Sequence, residues 1–323
     1  MKMSQIWIKI LLIMLSLISY VFSDDVDMTI KNVTVKVMGH SGKIAITSIK
    51  SNSTNTTKET ITINFSSLSE KDINGNEVGK TSSVKHTFNN FAQMDFVLTP
   101  VLPIKFQTID AFYVNLTANS IVTPESVFIG NIFIFNGTGI INIGGTETAE
   151  VSEGTVKFSL DLENWPFCQN MTVCEGPHCC QKGQTTEIGS FLDFDLEISG
   201  SNPLGNVTQY DYKFGDQTKL ILSSMIMVDD GWKKMHDGYP KLNTQGNKNT
   251  FTFRFPTFNN TARYDPVIQW SSTEGGFKWW IILLIVVLIV VFISCGIFIY
   301  KKCQKKAAEK EGGYTLQSDK VQT

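Results

Sequence analysis

Through the middle of the chain, short runs alternate strictly between apolar and polar residues. In Asn32-Val33-Thr34-Val35-Lys36-Val37 the valines take every second position, and Ile61-Thr62-Ile63-Asn64-Phe65 repeats the pattern. Thr155 to Leu162 and Thr250 to Phe255 behave in the same way. A period of two sends successive side chains to opposite faces, which is the signature of a half-buried strand. Gly, Asn, Asp and Pro punctuate these runs, and Asn74-Gly75 after Phe65-Ser66-Ser67-Leu68 reads as a tight hairpin turn. No helical period is sustained before residue 279. Many short strands at this spacing predict a mainly β protein, an antiparallel β-sandwich.

Two segments break the alternation because they are apolar on every face. The first, residues 1–23, has Lys2 and Lys9 near its start, a mostly apolar run from Ile6 to Phe22, and small residues at Val21 and Ser23 before Asp24-Asp25. That is the pattern of a cleaved signal peptide. The second, Trp279 to Tyr300, has no charged residue. About 20 apolar residues cross the hydrocarbon of a bilayer as a helix. Trp279, Trp280 and Tyr300 stand at its ends, and Lys301, Lys302, Lys305, Lys306 and Lys310 follow. Interfacial aromatics and a lysine-rich flank mark a transmembrane helix with its C-terminal side in the cytoplasm. The expected product is a type I single-pass protein of the plasma membrane, its N-terminal part extracellular. Its one expected lipid contact runs through residues 279–300, and the tail is 301–323.

Between these segments the composition shifts once, in the Cys-rich stretch 168–186. It divides the expected extracellular part into a first β-domain at 24–167 and a second at 187–272, followed by a stalk at 273–278. The alternative is one long sandwich whose halves share a core. Residues 24–278 carry 20 Lys and Arg against 27 Asp and Glu, a net charge of −7. Nucleic acid is therefore not an expected partner, since phosphate binding needs clustered Lys and Arg.

Cysteines and sequons agree with an extracellular compartment. Cys168, Cys174, Cys179 and Cys180 fall close together. In an oxidising compartment they predict two disulfides with three possible pairings, of which one containing Cys179–Cys180 is least favourable geometrically. A zinc site with His178 as an extra ligand is the rival reading, but no CxxC pair is present. Cys303, just beyond the apolar span and beside lysines, is a candidate for S-palmitoylation. Asn-x-Ser/Thr sequons occur at Asn32, Asn52, Asn55, Asn64, Asn115, Asn136, Asn170, Asn206 and Asn259. Asn32 and Asn64 lie in the polar phase of their strands, where a glycan would point to solvent.

Chemistry-bearing constellations are few. Phe191 to Ile198 places Asp193, Asp195 and Glu197 on one strand face, spaced about 7 Å apart. This ladder is a weak calcium candidate, since Ca²⁺ takes six to eight oxygens wrapped around it. A solvated strand face is the plainer reading. Asp72-x-Asn74-x-Asn76 imitates the start of a calcium loop but has Glu77 where glycine is required. Asp229-Asp230-Gly231-Trp232 and His236-Asp237-Gly238-Tyr239-Pro240 form a polar, aromatic connection that reads as a surface loop. No nucleophile elbow, phosphate loop or HExxH occurs, so no catalytic residue, metal or cofactor is expected.

Several spaced motifs carry a family resemblance. They are Phe65-Ser66-Ser67-Leu68-Ser69-Glu70, Asn74 to Lys80, Lys85 to Ala92, Asn164-Trp165-Pro166-Phe167-Cys168, and Phe253 to Phe258 with Tyr264-Asp265-Pro266. Over roughly residues 60 to 268 the chain resembles the ectodomain of coral acidic, Asp-rich skeletal organic matrix proteins. The resemblance implies a membrane-anchored or secreted matrix glycoprotein, with some members associated with calcium carbonate. This chain lacks the Asp-rich tracts on which mineral binding would rest. The expected function is therefore non-enzymatic adhesion or extracellular recognition of a ligand the sequence does not name. A calcium- or mineral-associated matrix protein and a membrane-tethered hydrolase are the alternatives.

Overall fold

The computed structural model describes residues 25–51, 56–80, 82, 84–182, 185–200, 204–206, 208–214, 218–246, 248–270, 286–289 and 293. The chain divides into two compact units, Met1–Ser271 and Ser272–Thr323. In the second, Val286–Ile289 and Ile293 are helical. No helix among the described residues is long and apolar enough to cross a membrane. The expected signal peptide and tail lie outside the described residues, as does most of the expected span.

The first unit is built almost wholly of strands. Its first part holds β1 (Val26–Ile30), β2 (Val33–Val37), β3 (Ile44–Ser51), β4 (Thr56–Lys71), β5 (Thr87–Phe88), β6 (Val97–Leu98), β7 (Leu102–Phe106), β8 (Ile109–Asn119) and β9 (Val127–Phe135). Next come β10 (Gly139–Gly144), β11 (Glu147–Val151), β12 (Val156–Glu163), β13 (Gln181–Lys182), β14 (Thr185–Thr186), β15 (Phe191–Gly200) and β16 (Leu204–Asn206). The last are β17 (Asp211–Phe214), β18 (Thr218–Ile221), β19 (Met225–Val228), β20 (Gly231–Lys234), β21 (Lys241–Gln245), β22 (Lys248–Pro256), β23 (Thr261–Tyr264) and β24 (Val267–Trp270).

Two large sheets result, both antiparallel in every described pairing. The first runs β1-β2-β3-β4-β15-β22-β21, with β5 beside β4. The second runs β16-β17-β18-β24-β12-β23-β19-β20, and β9, β8, β7 and β6 extend it from β12. One main core collects the inward side chains of both sheets, including Val35, Ile46, Ile63, Phe128, Phe158, Phe194 and Phe253. Alternation explains the choice: in β2 the buried positions are the valines, and in β15 they include Leu192, Phe194, Leu196 and Ile198.

Residues 168–186 do not separate two domains. Strand β15 from beyond this stretch pairs along its length with β4 from before it, from Phe191 opposite Lys71 to Gly200 opposite Ile61. The Phe65 ring packs edge-on to Phe128 at 4.7 Å and lies 6.3 Å from Phe194. The arrangement is the one long sandwich whose halves share a core. A boundary at 168–186 is suggested by local composition, but the pairing of strands so far apart in the chain leaves no local trace.

One irregularity in β4 sets the direction of a charged side chain. Ile61, Ile63 and Phe65 point inward by simple alternation. A bulge then shifts the register, so that Asp195 faces Ser67 while Leu196 faces Phe65. The extra residue, Ser66, resets the phase so that Leu68 and Glu70 are the next inward positions. A glutamate thereby occupies a position that the alternation reserves for core residues.

Because the halves share the phenylalanine cluster, Phe128→Ala is expected to lower the stability of the whole unit by about 3–5 kcal/mol. Urea denaturation followed by tryptophan fluorescence and by far-UV circular dichroism should show one coincident transition in both proteins. Two separated transitions, only one of them shifted, would restore the two-domain arrangement.

Candidate functional site

The acidic ladder lies on β15, in the interior of the first sheet between β4 and β22. Each carboxylate is met by polar side chains of those neighbours. Arg254 Nε and Nη2 donate to Asp193 Oδ1 and Oδ2, each at 2.6 Å. Ser67 Oγ donates to Asp195 Oδ2 at 2.7 Å, and Thr252 Oγ1 donates to Asp195 Oδ1 at 2.6 Å. Asn64 Nδ2 and Lys248 Nζ both reach Glu197, at 3.3 Å. Asp193 is only 7% exposed, so the plain reading of a solvated face is corrected: this is a cross-strand polar seam. The Arg254 guanidinium lies 5.1 Å from the Phe191 ring and 4.5 Å from the Tyr239 ring. The hydrogen bonds to Asp193 hold Arg254 above its usual range, against the desolvation that opposes them. The oxygens a calcium ion would need are already taken up by donors from two strands.

Beside the end of this seam runs a groove between the turn after β4 and the segment before β15. Lys71, Asp72, Asn76, Glu77, Lys182 and Ile188 are among its lining residues. The turn is the tight one expected at Asn74-Gly75, with Lys71 bridged to Glu77 and Gly75 at φ 84°. Asp72 does not wait for an ion there. Its Oδ1 accepts the N–H groups of Asn74 at 2.9 Å and Asn76 at 2.8 Å, and its Oδ2 accepts from Asn76 Nδ2 at 3.1 Å. These bonds, the Asn76 side chain foremost, hold the Asp72 carboxyl below its usual range. Lys80 first, then Lys71, do the same for Glu77. The Gly79 N–H donates to Glu187 Oε2 at 2.7 Å, which ties the two walls together. Ile73 and Ile188 remain 72% and 49% exposed. Apolar tips beside fixed charges of both signs suit an extended polar ligand such as a glycan or a peptide.

Behind the groove lies a buried centre. Glu70 is 0% exposed, and both of its oxygens are occupied. Oε1 accepts the Cys168 N–H at 2.7 Å, and Oε2 accepts Trp165 Nε1 at 3.0 Å. His86 Nδ1 lies 2.8 Å from the same Oε2. The four cysteines pair as Cys168–Cys180 and Cys174–Cys179, which selects one of the two pairings left open by geometry. His178, the expected extra ligand of the zinc alternative, points instead at the Phe167 carbonyl, 3.2 Å from its Nδ1. The histidine that does reach the sulfurs is His86. Nothing in the local sequence around Lys85-His86-Thr87 announces this, since its partners lie 82 and 94 residues further on.

The aromatic loop is likewise committed to structure. Asp229 and Asp230, both at positive φ, turn β19 into β20. The Asp229 carboxylate accepts the backbone N–H groups of Asn259, Asn260 and Thr261. Burial pushes its carboxyl up, and the three backbone donors outweigh this and hold it below its usual range. A second polar cluster was not legible at all. Lys157, 1% exposed, donates to Ser159 Oγ at 2.6 Å and lies 3.0 Å from Asp265 Oδ1. Burial pushes the Lys157 amine down. Neighbouring Asp161 is forked by Arg263 and is pushed up by burial despite that cation.

The sequons divide by exposure. Asn32, Asn136, Asn170 and Asn259 are exposed, while Asn64 and Asn115 are half-buried within strands and hydrogen-bonded there. Asn206 lies in β16. Asn52 and Asn55 lie outside the described residues, as does Cys303.

Two outcomes are expected from this geometry. Arg254→Ala strands a carboxylate at the seam and should cost about 3–5 kcal/mol in urea denaturation. Asp193→Asn combined with Arg254→Ala should cost less than the two single losses summed, because each single change orphans the partner. Calorimetry with calcium should show no micromolar site in the native protein and no change in Asp193→Asn/Asp195→Asn. Peptide mapping of the unreduced chain should recover the links Cys168–Cys180 and Cys174–Cys179, with no label on any of the four after alkylation.

A family model described as acidic skeletal organic matrix protein matches residues 17–209 and 205–294. The two matches together span most of the 323-residue chain, including β4, the groove, the Cys-rich stretch and the seam. They cover the motifs at Phe65–Glu70, Asn164–Cys168 and Phe253–Phe258 that carry the resemblance. The chain belongs to the acidic skeletal organic matrix protein family.

Proposed function

We propose that the protein is a type I, single-pass, non-enzymatic glycoprotein of the cell surface that mediates adhesion or extracellular recognition, with the groove beside the Asn74-Gly75 turn as its contact surface. The observation that carries this reading is where the acidic groups are spent. Asp193, Asp195, Glu197, Asp72 and Glu70 each accept hydrogen bonds from within the fold. What the groove offers outward is Ile73 and Ile188, with Lys71, Lys80 and Lys182 and the carboxylates of Asp72, Glu77 and Glu187 around them. The apolar span at 279–300, its lysine flank and the leader at 1–23 support the topology, and the sequons support an extracellular face.

Cells displaying the full chain, applied to arrays of extracellular glycans and matrix proteins, are expected to bind saturably to at least one class. Ile73→Asp/Ile188→Asp should reduce that binding about tenfold or more while leaving surface expression unchanged, since losing two anchors of a contact costs more than about 1.4 kcal/mol. Binding no greater than that of empty cells, or binding indifferent to the variant, would refute the reading. N-terminal sequencing should place the mature start near Asp24, and an epitope on the tail should resist protease added outside intact cells.

A second reading, association with calcium carbonate, is favoured by membership of a skeletal matrix family. Co-sedimentation of the full chain with calcite decides between the two. Retention that is lost in Asp193→Asn/Asp195→Asn would put mineral association first.

A further inference from the structure

Neither the groove nor the seam uses the buried Lys157 cluster, and the backbone holds its parts firmly together. Lys157 and Ser159 stand two positions apart on β12, so both side chains take the same face. Strand β12 pairs with β23 through Leu160 opposite Tyr264, and with β24 through Lys157 opposite Val267. The chain crosses from β23 to β24 over Asp265-Pro266, and the Pro266 carbonyl accepts the Phe158 N–H at 3.1 Å. Asp265 is thereby pinned against β12, with its Oδ1 3.0 Å from Lys157 Nζ. That contact lacks hydrogen-bond geometry. The ammonium donates instead to Ser159 Oγ at 2.6 Å, and among the described residues the buried Asp265 Oδ1 has no hydrogen-bond partner. The Phe106 and Phe133 rings, centred 5.1 Å and 5.5 Å from Nζ, wall the amine in.

A lysine amine and an aspartate carboxyl held in contact, out of water, are the two halves of an amide. We propose that Lys157 and Asp265 condense in the folded protein to an intramolecular isopeptide bond between Nζ and Cγ. The link joins β12 to the turn between β23 and β24, the last two strands of the first unit. It does not rest on the recognition reading.

The starting pair is an ammonium and a carboxylate. One ammonium proton passes to Asp265 across the 3.0 Å contact, which leaves a neutral amine and a neutral acid. Burial favours this exchange, since it already pushes the Lys157 amine down against the pull of the carboxylate beside it. The amine lone pair attacks Cγ, and the N–C bond forms. Nitrogen sheds a second proton, for which Ser159 Oγ is the acceptor in contact, and one Asp265 oxygen departs with both protons as water. The third hydrogen stays on Nζ as the amide N–H, so the step needs no oxidant, reductant or co-reactant. Two effects drive it. Groups fixed in reacting geometry behave as though at about 10⁵–10⁸ M. Condensation also removes two opposite charges from a place where each is costly. Asp161 is not the acceptor, because Arg263 Nε and Nη2 take its two oxygens. That second pair remains balanced after the link forms.

Tandem mass spectrometry of the full chain, purified from cultured cells, then reduced, alkylated, deglycosylated and cut with trypsin, tests the link. The expected result is no cleavage after Lys157. The peptide that contains it should be joined to residues 264–278, at the summed mass less one water, with fragments that place the bond at Lys157 and Asp265. Lys157→Met and Asp265→Ala should each lose the linked species completely. If either single change unfolds the chain by leaving its partner's charge buried, Lys157→Met/Asp265→Ala removes both charges and serves as the unlinked reference. A second readout needs no peptide assignment. Asp265-Pro266 is the chain's one Asp–Pro bond, and warm dilute acid cuts such a bond through a free aspartyl carboxyl. The native chain should resist this cut, whereas Lys157→Met should yield to it. Tryptic cleavage after Lys157 with residues 264–278 recovered free would overturn the proposal. So would a link from Lys157 to any other carboxyl, or acid cleavage of the native chain as fast as that of Lys157→Met.

Discussion

One buried carboxylate organises the end of the molecule where the candidate site lies. Glu70 is wholly removed from water, and an ion at that depth is tolerable only if it is fully hydrogen-bonded. Its donors come from Trp165 and from the backbone of Cys168, and His86 closes the set. The backbone of Glu70 joins in, its N–H donating to the His86 carbonyl and its carbonyl accepting from Val78. Strand β4, the 72–86 loop, the start of the Cys-rich segment and Gly189 are thus fixed around one side chain. The Cys168–Cys180 link then closes a loop one end of which, at Cys168, that carboxylate already holds.

Much of the architecture is legible in the sequence because it is written locally. The valines of β2, the alternation of β15 and the turn at Gly75 need only neighbouring residues to be read. What escapes is whatever depends on residues far away. The pairing of β4 with β15 merges two apparent domains, and the bulge at Ser66 sends Glu70 inward. Asp193 reads as exposed because strand alternation says which face a residue takes and not what covers that face. Arg254, 61 residues away, covers it. The disulfides show both sides of this: their existence follows from compartment and count, their pairing from the tertiary arrangement alone.

The same distinction bears on the family. Family membership assigns the chain to a group named for acidic matrix proteins, yet its carboxylates at the seam and turn act as internal acceptors. At the seam and the turn these carboxylates order strands by gathering N–H and hydroxyl donors. The carboxylates of the ladder are each met by donors of the neighbouring strands.

The order of strands in the first sheet also has a consequence for biosynthesis. Strand β4 ends at Lys71, while its partner β15 begins only at Phe191. At about 5–20 residues per second, roughly 6–24 seconds separate the emergence of the two from the ribosome. During that interval β4 presents an unpaired edge that includes Ile61, Ile63 and Phe65, a template for wrong partners. The sequon at Asn64 sits in that strand, and Asn32 sits in the turn between β1 and β2. In the finished sheet the Asn64 amide donates to Glu197 of β15, so this residue of the waiting strand meets its partner only once the later strand has been made.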